Sequence, residues 1–296
     1  MTNTNTIMAL GFFDGVHLGH QALLRECRVL ADSLGCGAAA ITFEKHPKAL
    51  FSPAEPVLIS TLADRQRLLM AYGMDRCIAF PVNKKVMSTS WEDFYRQLRE
   101  MGAAGFVCGR DFRFGHKGGG NAALLAERCR ADGLPCLIVP DQTLDGIRVS
   151  SSYIRRQIED GDMATAVKFL GHPYLLTGQV VPGKQLGRRL GIPTANLRLP
   201  EGLAVPKFGV YACRAIVDGI SYPAVTNIGT RPTVEGQGIT VEPWILDYSG
   251  DLYGREITLE FHRFLRPERK FASLEELKRE IHRNAEETKI LFGKPL

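Results

Sequence analysis

The stretch Ile7-Met8-Ala9-Leu10-Gly11-Phe12-Phe13-Asp14-Gly15-Val16-His17-Leu18-Gly19-His20 decides the fold. Its first half is apolar up to Gly11, as in a strand buried on both faces, and predicts a strand over Ile7 to Phe13. Its second half breaks at Asp14-Gly15 and enters a helix near Gly19. Strand, tight turn and helix in that order put His17-Leu18-Gly19-His20 at the carboxyl end of a strand, the edge where open α/β sheets bind ligands.

Outward from there, the chain to about residue 172 keeps alternating. Strands are predicted at Ala39 to Phe43, Arg76 to Val82, Gly105 to Gly109 and Cys136 to Pro140, with helices near 19 to 34, 62 to 72, 91 to 101 and 121 to 132. Ser90 before Trp91 reads as an N-cap, and Gly73 and Gly102 as C-cap glycines. Such alternation predicts a doubly wound parallel sheet covered by helices on both faces. Ser150 to Ser152 then offer N-caps for a helical region broken at Gly161-Asp162.

From Tyr174 the pattern turns to β: Leu175 to Val181, Gly209 to Val217, Ser221 to Asn227, Ile239 to Tyr248 and Glu256 to Leu265. Asp218-Gly219 between apolar runs is a two-residue hairpin signal. Several strands in so short a span predict a small antiparallel barrel. Ser273-Leu274-Glu275-Glu276 opens a terminal helix as a capping box, with Leu274, Leu277, Ile281 and Thr288 expected on its packed stripe. The expected domains are 1–172 and 173–296.

At 296 residues, 45% hydrophobic and 23% charged, the composition is that of a globular protein and excludes disorder or a fibre. The longest run without a charged residue, Phe169 to Gly183, is 15 residues long and falls short of the roughly 18 apolar residues of a membrane span. A net charge of +5 without a basic block gives no footprint for nucleic acid. Seven cysteines without a CxxC pair, and no secretory signal at the start, predict a reduced, cytoplasmic protein.

His17 and His20, three residues apart, share a helix face. Gly19 between them leaves room for a phosphate, and the helix N-terminus adds N–H groups and positive dipole. Two solvated histidines at a helix start are the plainer alternative. The motif resembles the HxGH signature of the nucleotidyltransferase superfamily. Ile41-Thr42-Phe43-Glu44-Lys45-His46-Pro47, Gly109-Arg110-Asp111-Phe112-Arg113-Phe114-Gly115 and Val149-Ser150-Ser151-Ser152-Tyr153-Ile154-Arg155 follow in the order found in bacterial bifunctional riboflavin kinase/FMN adenylyltransferases. The resemblance continues through Gly183-Lys184-Gln185-Leu186-Gly187-Arg188-Arg189-Leu190-Gly191-Ile192-Pro193-Thr194-Ala195-Asn196, Phe208 to Tyr211, Asn227 to Gly229 and Val241-Glu242. It covers residues 8 to about 291.

Read alone, Gly183, Gly187 and Gly191 permit either a phosphate-wrapping loop or barrel turns. Lys184 is followed by Gln185, so this is no Walker motif. Thr194 and Asn196, at i and i+2, present two neutral oxygens on one side of an extended segment, suited to Mg²⁺ or to a self-bonded turn. Glu242 interrupts an apolar strand, as a base for a primary alcohol or as an edge carboxylate facing water.

The resemblance implies conversion of riboflavin to FMN and then to FAD, with ATP as co-substrate, Mg²⁺ as divalent cation and no tightly bound metal. It assigns Thr194 and Asn196 to magnesium and ATP, with Gly183, Lys184, Gly187 and Gly191 in the phosphate loop, and Glu242 as the kinase base. It assigns His17, Gly19, His20, Ser151, Ser152 and Arg155 to phosphate binding in adenylyl transfer, and puts Phe13, Asp14, Gly15, His46, Asp111 and Phe112 near nucleotide or flavin. The expected partners are therefore small molecules, without nucleic acid or membrane. The family commonly has Asn at Phe12, Pro at Lys45 and Asp at Asn121, three departures that leave open a kinase with a degenerate first domain. A flavin-binding module without catalysis is the remaining alternative.

Overall fold

A computed structural model describes residues 5–51, 56–183, 191–233 and 236–293. In chain order the elements begin with β1 (Thr6–Leu10), α1 (Leu18–Ser33), β2 (Gly37–Phe43), α2 (Leu62–Ala71), β3 (Arg76–Phe80), α3 (Lys84–Met87), α4 (Trp91–Glu100) and β4 (Ala103–Gly109). The short β5 (Arg113–Phe114) and β6 (Gly120–Asn121) precede α5 (Ala122–Ala131) and β7 (Cys136–Val139). A two-stranded ribbon, β8 (Thr143–Leu144) and β9 (Ile147–Arg148), leads to α6 (Ser151–Asp160) and α7 (Met163–Leu170). The remaining strands are β10 (Tyr174–Val181), β11 (Asn196–Arg198), β12 (Gly209–Val217), β13 (Ile220–Thr233), β14 (Gly236–Ile245) and β15 (Glu256–Arg266), followed by the helix α8 (Leu274–Phe292).

By compactness the chain divides into Met1–Leu58 with Leu62–Ser151, and Ile59–Thr61 with Ser152–Leu296. The first unit holds a parallel sheet in the order β3-β2-β1-β4-β7. Strand β1 is buried along its whole length. Ile7 and Ala9 join the core on the α1 side with Leu24, Cys27 and Ala31, while Met8 and Leu10 join Phe94, Leu98, Phe106 and Leu125 beneath α4 and α5. Burial on both faces is why the segment carries no polar alternation.

Strand β1 ends at Leu10, three residues before the predicted limit. The Gly11 amide still reaches the Ile41 carbonyl at 3.2 Å, but Phe13 then takes a left-handed φ of 59°, which no strand accommodates. Ser90 caps α4 by accepting from the Asp93 amide, and Gly73 and Gly102 carry φ of 90° and 96° just beyond their helices. Asn121, at the position of the third departure, accepts from the Leu124 amide at 3.0 Å and caps α5.

The second unit closes into a six-stranded barrel, β10-β11-β14-β13-β12-β15. Along β13, Ala224, Thr226 and Ile228 are buried on one face. Val225 on the other packs with Val210, Trp244, Leu246 and with Ala285 of α8. The expected stripe of α8 is corrected at Leu274, which is exposed; Thr288 is buried as expected, and Glu280, Asn284 and Ala285 are buried with it. Thr288 donates to the Asn284 carbonyl at 2.8 Å, and arginines explain Glu280 and Asn284. Arg266 donates from Nε to Asn284 Oδ1 at 3.0 Å, and Arg266, Arg269 and Arg283 all reach Glu280 at 2.5–3.3 Å. All seven cysteines are free thiols, and among the described residues no helix is long and apolar enough to cross a membrane.

The Ser273 hydroxyl accepts from the Glu276 amide, and the Glu276 carboxylate accepts from the Ala272 amide. Ser273→Ala is expected to lower stability by about 1 kcal/mol, read as an earlier midpoint for barrel unfolding in urea.

Candidate active sites

From β1 the sheet grows toward β2 and β3 on one side, then the chain returns to β4 on the other. This reversal opens a crevice at the carboxyl ends of β1 and β4. The turn entering it is strained: Phe13, Gly15 and Val16 have φ of 59°, 74° and 39°. A β-branched valine at positive φ is costly, and such strain persists where surrounding contacts fix it and function uses it. The Ser151 hydroxyl holds the turn from outside, donating to the Asp14 carbonyl at 3.0 Å.

His17 is the N-cap of α1, its Nδ1 accepting from the His20 amide at 3.3 Å, which leaves the proton of a neutral ring on Nε2. The two imidazoles stack with centroids 3.7 Å apart and planes 12° from parallel, and Phe13 meets His20 edge-on at 5.2 Å. A Cβ on Gly19 would come within 3.2 Å of His17 Cε1, so a side chain there would press on the stacked ring. His20 Nδ1 is buried without a hydrogen-bond partner. Burial first, then the charges of His17 and Arg65, hold the His20 imidazole well below its usual pKa.

Sequence reasoning passed over Arg65, because a single arginine on a helix usually lies on a solvated face. It is fully buried. From α2 it donates to the Phe12 carbonyl at 2.9 Å, Thr42 Oγ1 at 3.2 Å and the Glu44 carbonyl at 3.1 Å. Its guanidinium lies 4.3 Å from the centroid of the Phe12 ring, which meets the His46 ring at 4.7 Å. A chain of contacts thus joins the turn after β1 to the segment after β2. Asp111 and Phe112 follow β4 at the same sheet edge. Asp111 pairs with Arg148 at 2.8 Å, and Phe112 stacks on Phe114 at 5.3 Å. Ser152 and Arg155 lie on α6 and fall in the second unit.

In the barrel, backbone register assembles the other set. Asn227 pairs with Glu242 across β13 and β14, Leu197 pairs with Val241, and the Ala195 amide donates to the Pro243 carbonyl at 2.9 Å. Asn196 therefore stands beside Glu242, and Asn196, Glu242 and Asn227 form one row across β11, β14 and β13. Val225, two residues from Asn227, shares that face. A Cβ on Gly183 would collide with the Asn196 amide group, so Gly183 leaves the space this side chain occupies. Gly191 has φ of 75°, a backbone conformation that favours glycine. Lys184 and Gly187 lie outside the described residues. The neutral oxygen of Asn196 beside Glu242, with Thr194 two residues earlier in the chain, is a hard donor set that fits Mg²⁺ sharing its shell with water and phosphate.

Comparison with known proteins divides along the same line. A family model described as FAD synthetase matches residues 1–153, and one described as riboflavin kinase matches residues 170–292. A bifunctional riboflavin kinase/FMN adenylyltransferase of Listeria monocytogenes is 34% identical over 99% of this chain and 94% of its own length. One from Pseudomonas fluorescens is 37% identical over 93% and 89%. A crystal structure described as a macrolide-efflux protein from Streptococcus pneumoniae superposes with a TM-score of 0.88 at 29% identity, over 98% of this chain and 95% of its own.

The depressed His20 pKa makes the first unit sensitive to acid. An unfolded imidazole titrates near its ordinary value of 6.5, whereas folded His20 takes its proton only at lower pH. Between the two the unfolded chain binds more protons, so stability is present above that ordinary value and is lost as pH falls through the folded one. The thermal midpoint of this unit is expected to drop between about pH 7.5 and 5.5, with a smaller drop in His20→Asn, as followed by unfolding scans at several pH values.

Proposed function

The chain belongs to the bifunctional riboflavin kinase/FMN adenylyltransferase family, an enzyme that makes FMN and then FAD, and on that premise we propose how its residues divide the two reactions. One observation carries the division. The stacked histidines and the Asn196-Glu242-Asn227 row lie in separate units, each inside the stretch matched by its own family model.

In the kinase reaction Glu242 takes the proton of the riboflavin 5′-hydroxyl as its oxygen attacks the γ-phosphorus of ATP, and ADP leaves. Thr194 and Asn196 hold Mg²⁺ with the ATP phosphates. The cation, when bound, neutralises charge on the transferring group. Gly183 and Gly191 keep the chain close to the phosphates, with Lys184 and Gly187 assigned to the same loop.

In the second reaction the FMN phosphate attacks the α-phosphorus of another ATP, and pyrophosphate leaves. A phosphate monoester is already an anionic nucleophile, so positioning and charge stabilisation suffice. His17, His20 and the amides opening α1 take the ATP phosphates, Gly19 provides their approach, and Ser151 holds the turn. Ser152 and Arg155 are assigned to phosphate binding. Phe13, Asp14, Gly15 and His46 border the nucleotide, with Asp111 and Phe112 toward nucleotide or flavin. Asn121 still caps α5 where the family has Asp, which supports retention of this activity.

The change of pattern at Tyr174 supports domain limits of 1–172 and 173–296. Seven free thiols support a reduced, cytoplasmic setting, and a charge without clusters supports small-molecule partners alone.

Incubation with riboflavin, ATP and Mg²⁺, followed by chromatography, is expected to show transient FMN and then FAD. Accumulation of FMN alone would reduce the enzyme to a kinase, and no conversion would leave a binding module. His20→Ala is expected to slow FAD formation by about 10²-fold or more while sparing FMN formation. Glu242→Gln is expected to do the reverse, slowing FMN formation by about 10²-fold or more. Equal loss of both activities in a folded variant would refute independent sites.

A further inference from the structure

Arg65 is among the largest fully buried side chains, and among the described residues its hydrogen bonds go to three neutral oxygens. The Asp14 carboxylate acts on it through space without a hydrogen bond, and a cation buried with so little direct compensation is expensive, so its retention calls for a reason. Its geometry supplies one. The planar fork reaches two backbone carbonyls from different segments, Phe12 following β1 and Glu44 following β2. Phe12 is gripped twice, by its carbonyl and by the face of its ring, which also meets His46 edge-on. Thr42 reinforces the point, donating to the same Phe12 carbonyl at 2.8 Å. Phe13, the next residue, carries the left-handed turn and packs against His20.

We propose that Arg65 is a positioning residue for adenylyl transfer, tying the turn after β1 to the segment after β2. This deepens the assignment of adenylyl transfer to the first unit and rests on it. The residue touches no reacting atom. It fixes the frame in which His17 and His20 meet the triphosphate, and a displacement of about 1 Å in such a frame costs on the order of 10²-fold in rate. Its charge also acts on His20, one of the causes of that imidazole's reluctance to protonate in the free protein. Charge gathers as two anionic phosphates are brought together, so a fixed cation near the frame counts most in the transition state.

The test compares Arg65→Met, Arg65→Gln and Arg65→Lys in the full chain, scored per folded molecule from parallel thermal unfolding. Steady-state rates are measured for FAD formation from FMN and ATP, and for FMN formation from riboflavin and ATP. R65M and R65Q are expected to lose about 10- to 100-fold in kcat for FAD formation, with KM for ATP and FMN moving far less. R65K, which keeps the charge and a donor, is expected to recover most of that loss. FMN formation should be unchanged in all three. R65Q retains an amide donor, so the comparison survives if R65M does not fold. Wild-type kcat in folded R65Q or R65M would overturn the proposal, as would a rise in KM with kcat intact. Failure of both neutral variants to fold, with R65K at wild-type kcat, would make the role structural only and overturn it too. Absence of FAD formation by the wild-type protein would instead overturn the underlying assignment, and with it the proposal.

Discussion

Seven residues separate the end of β1 from the start of α1, and within them the chain must leave a buried strand and aim a helix N-terminus at the sheet edge. No run of ordinary φ/ψ values accomplishes this, and Phe13, Gly15 and Val16 accept positive φ. A glycine carries that conformation freely, whereas a phenylalanine and a valine do not. The cost is tolerated because the turn is held from several directions: by Thr42 and Arg65 at the Phe12 carbonyl, by Ser151 at Asp14, and by Gln21 donating to the Val16 carbonyl at 2.9 Å. The stacked histidines are the product of this constraint. Their geometry belongs to the turn, and the turn belongs to the cores on both faces of β1.

The barrel reaches its site by a different route. A two-residue period sends alternate side chains to opposite faces, so one register fixes Asn196, Glu242 and Asn227 together without any strained residue among them. Slippage of β14 by one residue would exchange Glu242 for Val241 or Pro243. Register is therefore the barrel's counterpart of the strained turn, and it is secured by burial of Val241, Ile228 and Leu197 on the opposite face.

Much of this was legible in the sequence because it rests on periodicity and glycine. The apolar run before Gly11, the alternation of elements, and the paired signals of HxGH and PTAN are local patterns whose physics is local. The end of β1 was misjudged because Phe12 and Phe13 are good strand residues, and only tertiary contacts force Phe13 into a left-handed turn. Arg65 was missed because helical periodicity cannot tell a buried cation from a solvated one. The acceptors that satisfy it come from residues 21 to 53 positions away. The face of α8 was misread for the same reason: Glu280 and Asn284 are buried by arginines, two of which precede the helix. In the last two cases a polar group was buried by partners that local spacing does not reveal, which no count of apolar spacings detects.

The two units also differ in what their chemistry demands of charge. Phosphorylating an alcohol requires a proton to leave as the bond forms, a demand that the proposed assignment places on the carboxylate at the centre of the barrel's row, flanked by neutral amides. Joining a phosphate monoester to a nucleotide requires no such proton acceptor, because the nucleophile is already anionic. What it requires is positive potential in a frame that does not move as the anions meet. A carboxylate base in the first unit would oppose that potential. Among the described residues the buried guanidinium of Arg65 bonds to neutral oxygens, with Asp14 acting on it through space, and its charge acts on His20, one of the histidines proposed to bind phosphate. Burial is the larger reason that His20 resists protonation in the free protein, and this field adds to it. In the proposed reaction the same cation counts most where two anions are brought together, so a charge that costs the resting fold is repaid in the transition state.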